Sequence, residues 1–123
     1  MRPMDKILKG FNGKFLRVNL AEGKISVDEP DLSFYRHYIG GRGFIGALLL
    51  KEMKKGADPL GPCNLLIFAT GPITGTRVPG SSRNSVGAKS PLTGGFGEAE
   101  AGGFFGAELK RSGFDAILVE GTS

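Results

Sequence analysis

Two carboxylates, Glu98 and Glu100, stand just ahead of a glycine pair, Gly102 and Gly103, and a short way after two cations, Arg83 and Lys89. On an extended segment residues two apart share a face, so the carboxylates could present paired oxygens to a hard cation such as Mg²⁺, or lie solvated on a surface. A glycine pair opening a helix bares N–H groups at the positive end of the helix dipole and suits an anion, to which such a terminus contributes about 0.3–1 kcal/mol. The same spacing equally allows Gly102, Gly103 and Gly106 to let a helix pack tightly on a sheet. Arg83 and Lys89 lie near turns rich in Ser, Thr and Gly, where a guanidinium can hold a ring carbonyl or phosphate through a bidentate fork, or remain solvated.

Other chemistry is poorly supplied. Gly41 to Gly46 matches the glycine spacing of a dinucleotide loop, but no clear strand leads into it, and no Walker-type phosphate loop occurs. The single cysteine, Cys63, can form no internal disulfide and cannot by itself hold zinc or an iron–sulfur cluster, and it reads as a turn filler. His37, the only histidine, reads as a partly exposed helix position. No spacing suggests a Ser/His/Asp or Cys/His set.

The composition is that of a soluble domain. With 40% hydrophobic and 23% charged residues, and no apolar run near the roughly 20 residues a membrane helix needs, no membrane span is expected. The first ten residues carry charges and lack a secretory pattern, which makes the cytoplasm the expected compartment. The surplus of cations, 16 against 12 acids, is modest and spread out, and without tryptophan or an aromatic–basic block no nucleic-acid partner is expected.

The elements that must position these residues follow from periodicity. Residues 14–29 alternate around a Gly-containing turn and predict a β-hairpin, with Leu16, Val18 and Leu20 on one face and Phe15, Arg17 and Asn19 on the other. Asp31 can cap a short helix through Tyr38, and a longer helix is expected over Gly43–Lys55. Strands are expected over Leu65–Ala69, Arg83–Lys89 and Ala116–Val119, with a third helix over Gly103–Ser112 stopped by Gly113. A faint echo links the stretch after Gly40 to the stretch after Gly102: a glycine pair, an aromatic, Gly-Ala, a leucine, basic residues and a closing glycine.

Five segments, GKFLRVNLAEGKISVDE, YIGGRGFIGALLLKE, DPLGPCNLLIFATGPITGT, SSRNSVGAKSPLTG and AGGFFGAELKRSGFDAILVEG, occur in an order and spacing that resembles the N-terminal part of the tungsten-containing aldehyde ferredoxin oxidoreductases. The resemblance implies an α+β fold of twisted β-sheets with a few short helices. It makes residues 1–123 a single, partial N-terminal domain serving as a platform for a tungsten bis-pterin cofactor (tungstopterin). By the same resemblance Arg83 lies between pterin and a [4Fe-4S] cluster, while Glu100, Ala101, Gly102 and Gly103 meet the pterin phosphates and their bridging Mg²⁺. The implied reaction is oxidation of aldehydes to carboxylates with ferredoxin as acceptor, and a related possibility is an aromatic acyl-CoA reductase subunit. A non-catalytic binding or assembly module of the same fold is the alternative from another class. Two departures qualify the carry-over. Family members often place Asn or Ser before the glycine pair, where this chain has Glu100 and Ala101, so the Mg²⁺ contact survives only through a backbone carbonyl. The cluster cysteines are absent, so the cluster requires the remainder of the protein or a partner chain. No catalytic residue is expected here, and apolar surface meant for that remainder is expected to favour self-association.

Overall fold

A computed structural model describes residues 9–123, so most of the amino-terminal stretch read for a secretory signal lies outside the described residues. The hairpin forms as its alternation predicts, from β1 (Phe15–Asn19) and β2 (Lys24–Asp28), with Leu16 opposite Val27 and Val18 opposite Ile25. Asp31 then caps α1 (Leu32–Tyr38) by accepting a hydrogen bond from the Phe34 amide at 3.1 Å. The helix stops one residue before the glycines, at Ile39, whose φ of 66° is rare for a β-branched residue.

The longest helix, α2 (Arg42–Glu52), ends three residues before its expected limit because Met53 turns extended and packs against the core, leaving Lys54 and Lys55 outside. β3 (Leu65–Ala69) and β4 (Asn84–Lys89) follow. A further strand, β5 (Phe96–Ala101), was not expected from periodicity, because its glycine and two carboxylates give no apolar stripe. Pairing with β4, from Asn84 opposite Ala101 to Lys89 opposite Phe96, makes it a strand all the same. α3 (Phe105–Arg111) begins two residues later than expected because Gly103, at φ +96°, has left-handed backbone that cannot belong to the first turn. β6 (Ala116–Glu120) closes the fold.

The twisted sheets expected from the resemblance are here one six-stranded mixed sheet, ordered β2-β1-β6-β3-β4-β5, with three short helices. Its last strand lies near the centre, parallel to β1 and antiparallel to β3. The two faces differ sharply. One carries Phe15, Leu65, Ile67, Ala69, Ala116 and Leu118, all buried against Tyr35, Phe44, Ile45 and Leu48 of α1 and α2. Each fully buried Phe, Ile or Leu there contributes about 1.5–3 kcal/mol relative to exposure. Arg17 lies on this face near its rim and donates to Asp28 at 2.8 Å, Glu52 at 3.0 Å and Glu120 at 3.2 Å. Burial opposes its charge, but the bonds to Glu52 and Asp28 outweigh that cost and hold the guanidinium above its ordinary value.

The opposite face carries Leu16, Val18, Ile25, Val27, Leu66, Phe68, Val86, Ile117 and Val119 in cross-strand register. No described helix covers it broadly: Ile25 is 72% exposed, Val27 49% and Leu66 42%. The apolar alternation read in β1 therefore marks the open face, while Phe15 and Arg17 occupy the covered one. No helix among the described residues is long and apolar enough to cross a membrane.

Candidate functional site

The residues singled out by type gather where β4 begins, β5 ends and α3 starts. Register places Glu98 opposite Gly87 and Glu100 opposite Ser85, so the carboxylates share a face as their spacing predicts, the face covered by α2. A cation of this chain already meets them. Arg42, the first residue of α2, donates to Glu100 Oε1 at 3.1 Å and lies 3.8 Å from Glu98 Oε2. Its hydrogen bond to Glu100, then the charge of Glu98, raises the guanidinium above its usual range. Among the described residues, no grouping of three or more His, Cys, Asp and Glu could hold a metal ion.

The buried Glu98 Oε1 nevertheless accepts no hydrogen bond among the described residues, and a second such oxygen lies on the other side of the same strands. Asn84 pairs in register with Ala101 and its side chain is buried, yet its Oδ1 accepts no hydrogen bond among the described residues. An orphaned buried acceptor costs about 1–3 kcal/mol and calls for a donor. Gly106 of α3 presses on it: a Cβ there would lie 3.1 Å from Asn84 Cβ and 2.7 Å from the Ser82 carbonyl oxygen. This close approach realises the tight-packing reading for Gly106.

Gly102 and Gly103 differ, since a Cβ built on either meets nothing within 4 Å, and both glycines are exposed in the turn before the helix. They lie outside α3 rather than opening it, which corrects the helix placement, while the N–H groups of its first turn have no intrahelical acceptor. Arg83, immediately before β4, is exposed and has no ion-pair or hydrogen-bond partner for its side chain among the described residues. Lys89, its companion in the sequence reading, is committed instead, donating to the Ala57 carbonyl at 2.6 Å. Cys63 is exposed, and His37 is an exposed α1 residue whose Nδ1 lies 2.7 Å from the Ser33 carbonyl oxygen.

One polar centre escaped sequence reading. Asp115, fully buried before β6, accepts from the Asn12 amide at 2.9 Å, the Gly13 amide at 2.9 Å and the Tyr35 hydroxyl at 3.0 Å, and pairs with Lys110 at 3.1 Å. Lys110 also donates to the carbonyls of Gly10 at 2.7 Å and Gly71 at 2.8 Å. Burial lowers its pKa against the opposing charge of Asp115. The partners lie up to 103 residues apart, so no local pattern could disclose them. The network anchors the far end of α3 and thereby fixes where Gly102 to Phe105 stand.

A mixed sheet with α1 and α2 on one face, and on the other a glycine turn leading into the short helix α3, defines the class. The fold is shared with the active-site complex BamBC of benzoyl-coenzyme A reductase in complex with 1,5-dienoyl-CoA, at a TM-score of 0.90 and 35% identity over 94% of this chain and 18% of that one. A family model described as the aldehyde ferredoxin oxidoreductase N-terminal domain matches residues 15–123, and the chain belongs to that family. Among its relatives, the tungsten-containing aldehyde ferredoxin oxidoreductase of Pyrococcus furiosus is 53% identical over 89% of the chain. That of Thermococcus kodakarensis is 52% identical over 90%. The chain spans 18% of the length of each of these two relatives.

Proposed function

We propose that residues 1–123 form the N-terminal cofactor platform of a tungsten bis-pterin oxidoreductase that oxidises aldehydes to carboxylates with a ferredoxin-type acceptor, catalytic only within a larger protein or complex. The observation that carries this reading is the conjunction at one rim of an Arg83 side chain unpaired among the described residues, a buried Asn84 Oδ1 orphaned among them, and the open space over Gly102 and Gly103. These residues fit an anionic, hydrogen-bonding group: a guanidinium for ring carbonyl or phosphate, an acceptor awaiting a donor, and a glycine turn that admits close backbone approach.

When bound, tungstopterin supplies the two-electron redox chemistry, and the protein's share is position and electrostatics. Arg83 would hold the pterin on the side facing the [4Fe-4S] cluster, whose cysteines come from elsewhere. Ala101, Gly102 and Gly103 would take the phosphates through their backbone, with the Glu100 carbonyl, not its carboxylate, turned to Mg²⁺. No group of this chain is assigned a proton transfer.

Anaerobic purification of the native protein with its associated chains, followed by elemental analysis, tests the reading. Tungsten and iron in one fraction with the 123-residue segment are expected, and Arg83→Ala should reduce tungsten content and turnover together. A metal-free, partnerless product would instead assign the chain to a non-catalytic module. The likeness to the benzoyl-coenzyme A reductase complex favours one second reading, a subunit of an aromatic acyl-CoA reductase. Assay of the loaded protein with aldehydes and with aromatic acyl-CoA separates the two.

A further inference from the structure

The segment between β3 and β4, residues 70–83, leaves and rejoins the sheet at neighbouring positions, since Ala69 pairs with Ser85. It is an Ω-loop closed by its own groups, among them the Gly75 amide on the Ser81 carbonyl at 2.9 Å and the Ser81 hydroxyl on the Thr76 carbonyl at 3.2 Å. Thr74 is its buried member, 5% exposed, and it touches both stems. Its Oγ1 accepts from the Gly71 amide at 2.9 Å and donates to the Arg83 carbonyl at 3.5 Å, the outer reach of a hydrogen bond. The loop rests on α3 around this brace. A Cβ on Gly75 would lie 3.2 Å from Ala107 Cα, and one on Gly106 would lie 3.4 Å from Thr74 Cγ2. Lys110 and Arg111 of the same helix donate to the Gly71 and Gly75 carbonyls, at 2.8 and 3.4 Å.

We infer that Thr74 is a positioning residue for Arg83: its hydroxyl ties the end of the loop to its start and so sets where the guanidinium stands relative to the Gly102–Gly103 turn. The inference rests on the reading of Arg83 as a holder of the pterin and adds what aims it. The Arg83 side chain is exposed and meets no hydrogen-bond or ion-pair partner among the described residues, so its direction is set by its own backbone. Thr74 Oγ1 is bonded to that backbone. The two functional atoms of Thr74 can be told apart, because its methyl group packs against Gly106 and valine keeps it, whereas the hydroxyl is lost in valine and kept in serine. A hydrogen bond of this kind shifts an equilibrium roughly two- to tenfold.

Thr74→Val and Thr74→Ser, each alone and combined with Arg83→Ala, test this in the anaerobically purified native protein with its associated chains. Thr74→Val should speed hydrogen exchange over residues 70–83 and lower the tungsten retained per chain, each roughly two- to tenfold. Thr74→Ser should bring both back toward wild type. In the Arg83→Ala background Thr74→Val should still speed exchange yet remove no further tungsten, because its effect on retention passes through the guanidinium. Unchanged exchange in Thr74→Val, a serine variant as impaired as the valine, or tungsten lost equally with and without Arg83 would each overturn the inference. So would a valine variant that keeps its tungsten where Arg83→Ala loses it. Arg83→Ala that retains its full tungsten would instead overturn the reading of Arg83, and the inference with it.

Discussion

Helix α3 joins two regions of opposite character. Around Lys110 the polar groups withdrawn from water find partners: Asp115, two backbone carbonyls and the ring of Phe11, 5.2 Å from the ammonium. At the other end, among the described residues, the Arg83 side chain has no hydrogen-bond or ion-pair partner, Asn84 Oδ1 is orphaned, and the space above Gly102 and Gly103 is open. The contrast separates side chains engaged in holding the fold from side chains that meet no polar partner among the described residues.

The largest blow to the first region is Asp115→Ala. It strands the buried Lys110 charge and removes the acceptor of two amides and a hydroxyl, so a loss of about 3–5 kcal/mol is expected in a urea melt. Next comes Gly106→Ala, whose new methyl meets the Ser82 carbonyl and Asn84. Overpacking of this kind costs about 1–3 kcal/mol, read in the same melt. The second region should respond the other way. A methyl at Gly102 meets no neighbour and Arg83 is exposed, so Gly102→Ala and Arg83→Ala should each leave stability within about 0.5 kcal/mol while lowering the tungsten retained by the assembled protein. If either cost as much as Gly106→Ala, the distinction between the regions would fail.

The smallest effect concerns acid. Asp31 is held below its ordinary value of 3.8 by the Ser33 hydroxyl and then by the Phe34 amide. Its depressed folded pKa means that its stabilising contribution is present above about pH 3.8 and is lost as pH falls through the lower folded value. The small difference in melting temperature between wild type and Asp31→Ala should therefore be visible at neutral pH and vanish in strong acid.

Much of the scaffold could be read from local pattern. The hairpin, β3, β6 and the capped α1 follow from alternation, apolar runs and Asp31, because each is decided within a few residues. β5 could not be read so, since its strand character comes from β4 and not from its own glycine and glutamates. The shared face of Glu98 and Glu100 was legible from their spacing, but Arg42, which occupies it, lies 58 residues from Glu100 in the chain. The glycine pair was read as opening a helix, toward an anion or for tight packing, but the left-handed backbone of Gly103 keeps the pair outside that helix. Arg83 drew notice by its type, whereas its lack of a partner and the orphaned Asn84 acceptor are properties of three-dimensional packing.

The position of β6 between β1 and β3 also fixes an order of events during synthesis. Until residues 116–120 leave the ribosome, the sheet exists only as a β1–β2 hairpin and a β3–β4–β5 meander with nothing to join them. The parallel β1–β6 pair spans about a hundred residues, the slow, non-local kind of contact whose loop entropy must be overcome before it yields any stabilisation. A chain stalled or cut just short of Ala116 would thus expose two unpaired strand edges at the centre of its future core, and nascent copies would be most exposed to aggregation at that moment.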